Sequence, residues 1–198
     1  MKLLVSHASP YARKCRITAI EKGIIDLEEV HVNPIDEPEK LNHINPLGKI
    51  PCLIYGEGKT LFDSPVICAY FDEIGAGPKL TPAQSPAHWA MRRHEAIIDG
   101  ILDSALGLVH EYRKPAEKHF DMWIQRWGCA IDRSLSQLNN ELDQIGGEIS
   151  TAQIALGAAI GYLNFRLGEK DWLAPYPELT AWYAEFAKRP SMRKTLPQ

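Results

Sequence analysis

The sequence predicts an α+β segment built on one four-stranded mixed sheet, followed by an all-α segment, on three observations. The first 76 residues alternate short apolar runs with helical patterns, a Gly/Pro-rich stretch follows, and every apolar pattern beyond it has helical spacing. At 198 residues, with 45% hydrophobic and 24% charged side chains, the chain is long and apolar enough to bury sizeable cores.

Lys2 to Ser6 reads as a short buried strand. Pro10 to Lys22 follows as a helix, with Ile17, Ala19 and Ile20 at helical spacing and Gly23 as its stop. Leu27 to Val32 suits a second strand and Pro38 to Asn45 a short helix. Cys52 to Tyr55 and Thr60 to Phe62 form two strands around the Gly56-Glu57-Gly58-Lys59 turn, and Ser64 to Ile74 returns to helix. In the resulting order β-α-β-α-β-β-α, the first two strands can pair in parallel through a crossover helix and the last two as an antiparallel hairpin. Residues 1–76 are therefore expected as one domain and 77–86, with Gly77, Pro78, Pro82 and Pro86, as a linker. Residues 87–198 are expected as an all-α bundle.

Within that bundle, His88 to Glu111 and Ala116 to Leu142 carry long helical patterns separated near Pro115, and Gly146-Gly147 closes the second. Ser150-Thr151-Ala152-Gln153 has the spacing of a capping box, with the serine hydroxyl and the glutamine side chain satisfying backbone donors at a helix start. Ile154 to Phe165 is apolar nearly all round, with Gly157 and Gly161 admitting neighbours, which suits a central buried helix. Tyr176 to Lys188, with Leu179, Trp182, Tyr183 and Phe186, suits an outer amphipathic one.

Lys and Arg number 22 against 25 Asp and Glu, a net charge of -3, so neither nucleic acid nor an anionic membrane is an expected partner. Met1 to Ser6 is too short for a signal peptide or a spanning helix, which makes the cytoplasm the expected compartment. Cys15, Cys52, Cys68 and Cys129 are scattered, with no C-x-x-C pair and no histidine at ligand spacing. They read as reduced, mostly buried thiols, and no metal site is expected.

Three turns can carry chemistry. Ser9-Pro10-Tyr11-Ala12-Arg13-Lys14 lies where a strand passes into a helix, and the open N–H groups and helix dipole there favour an anion such as a thiolate. Ser9 or Tyr11 can donate a hydroxyl to sulfur, and Arg13 can add positive potential. Ser-Pro is equally the ordinary signature of an N-cap followed by proline at the first helical position. In Asn45-Pro46-Leu47-Gly48-Lys49-Ile50-Pro51-Cys52, a cis Ile50-Pro51 bond would present the Ile50 backbone to an extended peptide, with Lys49 facing a terminal carboxylate; the alternative is a trans proline in a solvated loop. In Phe62-Asp63-Ser64-Pro65, Ser64 can bind a carboxylate while Asp63 pairs with an amine, or the pair is simply an N-cap.

In order and spacing, the serine turn, the N-P-L-G-K-I-P segment, the Asp63-Ser64 pair and the capped helix resemble the glutathione S-transferases over essentially the whole chain. The resemblance implies a thioredoxin-like N-terminal domain that binds glutathione as co-substrate, with no permanent cofactor. It also implies an all-helical C-terminal domain supplying most of the pocket for a small electrophile, usually in a homodimer, with detoxifying conjugation or hydroperoxide reduction as the activity. Carried onto this chain, Ser9 activates the thiol, Ile50 before Pro51 pairs with the cysteinyl backbone, Asp63 and Ser64 bind the γ-glutamyl end, and Lys49 faces the glycyl carboxylate. Asp99 is a candidate for reaching glutathione across the dimer interface, or is a solvated helix aspartate. His110, Tyr112, Arg113 and Tyr162 are candidates for the second-substrate pocket. Two positions depart from the family pattern: Gln153 stands where aspartate is frequent, and Asp63 where glutamate is frequent. Two rival readings share these residues: a thiol–disulfide oxidoreductase, which needs a cysteine at Ser9, and a non-catalytic binding module.

Overall fold

A computed structural model describes residues 1–198, and its first seven elements follow the expected order: β1 (Lys2–Val5), α1 (Pro10–Glu21), β2 (Glu28–His31), α2 (Glu39–Asn42), β3 (Cys52–Tyr55), β4 (Lys59–Leu61) and α3 (Ser64–Ile74). The strands form one sheet in the order β2-β1-β3-β4. β1 runs parallel to β2 with Val5 opposite His31, and antiparallel to β3 with Leu4 opposite Cys52; β3 and β4 pair antiparallel with Leu53 opposite Leu61. Side-chain alternation along β1 then divides two cores. Leu3 and Val5 join Leu53 in a cluster with Ala12, Cys15 and Ala19 of α1 and Ile67, Cys68 and Phe71 of α3, whereas Leu4 joins Cys52, Val32 and Leu41 of α2. Two helices thus cover one face and a short helix the other, the thioredoxin-like arrangement expected.

The chain separates into two compact units, Met1–Thr81 with Pro190–Gln198, and Pro82–Arg189. The last nine residues, expected in the helical segment, group with the first unit because Arg13 of α1 reaches them. Its Nη2 donates to Met192 O at 3.2 Å and its Nε to Thr195 Oγ1 at 3.5 Å, beside α9 (Pro190–Lys194). Residues after α3 are also held: Lys22, fully buried at the end of α1, donates to Gly77 O at 2.8 Å and Pro78 O at 2.7 Å and pairs with Asp72 at 3.1 Å. A Cβ at Gly77 would collide with the Glu21 carbonyl, so the chain passes there only as glycine.

The second unit contains α4 (Pro86–Tyr112), α5 (Asp121–Asn140), α6 (Leu142–Ile145), α7 (Thr151–Arg166) and α8 (Pro177–Phe186). α7 is the buried centre, with every residue from Thr151 to Leu163 out of solvent. The single helix expected over 116–142 is broken twice. Ala116–Lys118 is one 3-10 turn, because the Phe120 N–H turns back to donate to buried Glu111 Oε1 at 2.8 Å, and α5 starts only afterwards. At Glu141 the backbone leaves the helical region, and its carboxylate accepts from Arg93 at 2.6 Å and meets His94 at 2.8 Å. The Arg93 and His94 bonds hold the Glu141 carboxyl down at about 2. The capping box forms only by half. Ser150 Oγ accepts from Gln153 N at 3.3 Å, but the Gln153 side chain donates backwards to Ile145 O at 2.8 Å and Glu148 O at 3.1 Å. An amide carries N–H donors that an aspartate lacks, so glutamine staples the preceding loop through its carbonyls.

No helix is long and apolar enough to cross a membrane.

Candidate functional site

The register of the sheet brings the three singled-out turns of the first unit to one edge. Because β1 and β3 are antiparallel with Leu4 opposite Cys52, the residues leaving β1 toward Ser9 lie beside those entering β3, Ile50 and Pro51. Because β4 returns with Leu61 opposite Leu53, Asp63 and Ser64 emerge at the same edge. α1 and α3 both begin there. Cys15 Sγ, on the second turn of α1, lies 3.7 Å from Ser64 O and ties the two helix starts together.

Ser9 is the N-cap of α1, half-buried, and its Oγ accepts from Ala12 N at 3.2 Å. Capping does not exhaust the hydroxyl: a lone pair serves the helix and the hydroxyl proton is left to donate. Tyr11 is half-buried in the first turn, while Arg13 is only 2% exposed and directs its guanidinium to the C-terminal residues.

The Ile50–Pro51 bond is cis, and Ile50 stays outside the ladder, which starts at Cys52. Lys49 is exposed. What shapes this loop is Asn45, which sequence reasoning left without a role. It is 1% exposed, its Nδ2 donates to Lys49 O at 2.7 Å, and its Oδ1 accepts from Leu47 N at 3.0 Å. The signal was present in Asn-Pro-x-Gly, an Asx-turn pattern. Gly48 completes the turn at φ +58°, with Asn42 Oδ1 only 2.8 Å from where a Cβ would sit. Asn45→Ala should lower unfolding free energy by about 1–3 kcal/mol, since Lys49 O loses its donor. Urea unfolding of the two proteins checks this.

At α3, Asp63 occupies the N-cap position yet makes no side-chain capping bond, and its carboxylate is exposed. Ser64 is 1% exposed, and no protein group hydrogen-bonds its hydroxyl. The reading of this pair as an ordinary cap therefore fails for Asp63. An exposed carboxylate beside a hydroxyl and the open N–H groups of a helix start can hold an ammonium and a carboxylate together.

The thiols beneath this edge are buried. Burial first, then the neighbouring Cys68 at 3.9 Å, pushes the Cys15 thiol well above its ordinary value, and burial raises Cys52 to about 11. No group of three His, Cys, Asp or Glu residues is arranged to hold a metal ion.

In the second unit, Asp99 is half-buried on α4, and His110, Tyr112 and Arg113 are exposed at its C-terminal end. Tyr162 is 4% exposed on α7; burial raises its hydroxyl, opposed by the charges of Arg166 and Arg113. The ring of Tyr112 packs near His119, 5.9 Å between centroids.

Comparison with known proteins follows the same division. Family models described as the glutathione S-transferase N-terminal domain and C-terminal domain match residues 8–74 and 121–185. The GST-like protein YibF of Escherichia coli (strain K12) is 35% identical over 202 residues, spanning 100% of this chain and 98% of that protein. A glutathione S-transferase from Methylobacillus flagellatus KT, solved with glutathione bound, superposes with a TM-score of 0.93 at 39% identity, covering 100% of this chain and 99% of the other. A glutathione transferase family member from Pseudomonas fluorescens Pf-5, solved with bound S-(propanoic acid)-glutathione, does so with a TM-score of 0.91 at 33% identity, covering 100% of both. With matches in both domains and a full-length relative at this identity, the chain belongs to the glutathione S-transferase family.

Proposed function

We propose that this protein is a glutathione transferase that joins the glutathione thiolate to small electrophiles. The observation that carries the reading is the start of α3, where Asp63 and the buried Ser64 hydroxyl are left unused by the fold. The γ-glutamyl ammonium pairs with Asp63, and its carboxylate accepts from Ser64 and the first-turn N–H groups. The cysteinyl backbone pairs with Ile50, and the glycyl carboxylate faces Lys49. This extended pose lays the thiol at the Ser9 turn.

There the thiol gives its proton to solvent, and the Ser9 hydroxyl and the α1 start stabilise the sulfur anion. The thiolate attacks an electrophilic carbon; a C–S bond forms as the leaving group departs with its electron pair, or as an activated double bond takes up the pair. A glutathione whose sulfur carries a second carbon in place of its proton, as in the ligand of the Pseudomonas fluorescens relative, is the product type this chemistry yields. The thiol–disulfide reading is disfavoured because Cys15, the thiol next to the Ser9 turn in sequence, is fully buried, and burial pushes it well above its ordinary value. The reading places the protein in the cytoplasm as a homodimer, which sedimentation would test; Trp89, 66% exposed on α4, is an apolar side chain available to such a contact.

The test is calorimetric titration of glutathione into reduced protein and into Asp63→Ala and Ser64→Ala. Binding by the native chain that weakens on the order of tenfold or more in each variant is expected, the loss of a charged hydrogen bond being about 1.5–3 kcal/mol. No binding by the native chain overturns the reading; binding without turnover of any electrophile leaves the non-catalytic module.

A further inference from the structure

Two imidazoles meet beside the Ser9 turn. Parallel pairing of β1 with β2 sets Val5 opposite His31, so the last side chain of β2 lies next to the residues that leave β1, of which His7 is the second. Their Nε2 atoms are 2.7 Å apart and the rings stand edge to face, 3.8 Å between centroids. Glu29, two residues before His31 and therefore on the same face of the strand, places Oε2 3.6 Å from His7 Nε2. Arg16 of α1 fixes that carboxylate, its Nε donating to both oxygens at 2.8 and 2.9 Å. α1, β2 and the β1–α1 loop are thus joined by four side chains. The loop is a tight turn in which Ser9 N donates to Ser6 O at 3.0 Å, so His7 is held inside the turn that presents Ser9.

A nitrogen–nitrogen hydrogen bond needs one N–H and one lone pair. The pair can therefore carry one bridging proton but not a proton on both facing nitrogens. Building on the assignment of Ser9 as the thiol-activating hydroxyl, we propose that His7 and His31 are positioning residues whose shared proton holds the Ser9 turn, and that a second proton releases it.

The charges acting on His31 agree with this. Burial lowers it first, then the His7 and Arg16 charges, while Glu29 pulls the other way. The sign follows: a folded value below the ordinary imidazole value of about 6.5 means the tether is intact above that pH and is lost as pH falls through the lowered value.

The test uses the whole chain without ligand, which keeps it separate from whether glutathione binds. Proton NMR follows the Cε1–H signals of His7 and His31 with pH. Hydrogen exchange, corrected for intrinsic rate, follows the Ser9 amide, with the Val32 amide, bonded to Val5 O at 2.9 Å, as reference. The two imidazoles should titrate in two separated steps. Ser9 protection should fall roughly five- to tenfold across the acidic step while Val32 is unmoved, as for the loss of one hydrogen bond. His31→Gln, whose side chain can accept from or donate to His7 in either protonation state, should keep Ser9 protected across the whole pH range. Independent titration of the two rings, pH-independent Ser9 protection in the native chain, or the same fall in Ser9 protection in both proteins overturns the proposal.

Discussion

Removing the Ser9 hydroxyl is expected to lower turnover on the order of 10²-fold, with glutathione affinity changed little, the usual consequence of deleting one donor to a developing anion. Alanine alone would confuse two effects, because Ser9 Oγ also accepts from Ala12 N. Losing that cap costs about 1 kcal/mol for alanine but only a few tenths for glycine. Ser9→Ala and Ser9→Gly should therefore share the loss in turnover and differ in urea midpoint. If both turn over substrate like the native protein, Ser9 has no part in activating the thiol, and Tyr11→Phe becomes the decisive variant. Arg13→Lys should loosen the C-terminal residues, since the guanidinium donates to Met192 and Thr195.

Lys22→Ala is expected to destabilise the first unit by about 3–5 kcal/mol, the cost of leaving a buried charge without its partner. Lys22 is fully buried and the Asp72 side chain is only 7% exposed. Burial pushes the Asp72 carboxyl up, but the Leu80 N–H at 2.9 Å, the Lys22 ammonium and Thr81 together hold it below the usual carboxylate range. A depressed carboxyl stabilises the fold above its unfolded value of about 3.9, and that contribution disappears as pH falls through the lower folded value. Without Lys22 the carboxyl rises, so the acid unfolding midpoint of Lys22→Ala should move to higher pH. The double variant Lys22→Met with Asp72→Asn should regain much of the stability, because no bare charge remains; equal losses in the single and double variants would show that the ion pair is not the cause.

Periodicity located β1 to α3 to within two residues at most ends except the short helix α2, and patterns of this length are legible because each strand or helix must bury one face. The breaks at Ala116–Lys118 and Glu141 were not legible, since the residues there are compatible with helix and the competing partners, Glu111 for Phe120 and Arg93 with His94 for Glu141, lie 9, 48 and 47 positions away. Gln153 was recognised as a deviation, but which carbonyls it would take depended on where Ile145 and Glu148 came to rest.

At the candidate site, the sequence by itself determined which turns can carry chemistry, because Ser-Pro, Asn-Pro-x-Gly-Lys-Ile-Pro and Asp-Ser-Pro are local signals written in adjacent residues. It also determined the order of the elements and the outer strand pairings, whereas the β1–β3 pairing through which those turns meet came only with the sheet. Only the tertiary structure decided which groups of each residue the fold uses and which it leaves over. Ser9 does cap its helix and Asp63 does not; Cys15 is sealed and its thiol pushed up by burial; Asn45 reaches across its loop; and His7 finds His31 through a parallel register. The physical reason is the same in each case: a side chain's free donors, acceptors and charge are what remain after its neighbours in space have been satisfied, and those neighbours are set by packing of segments far apart in the chain.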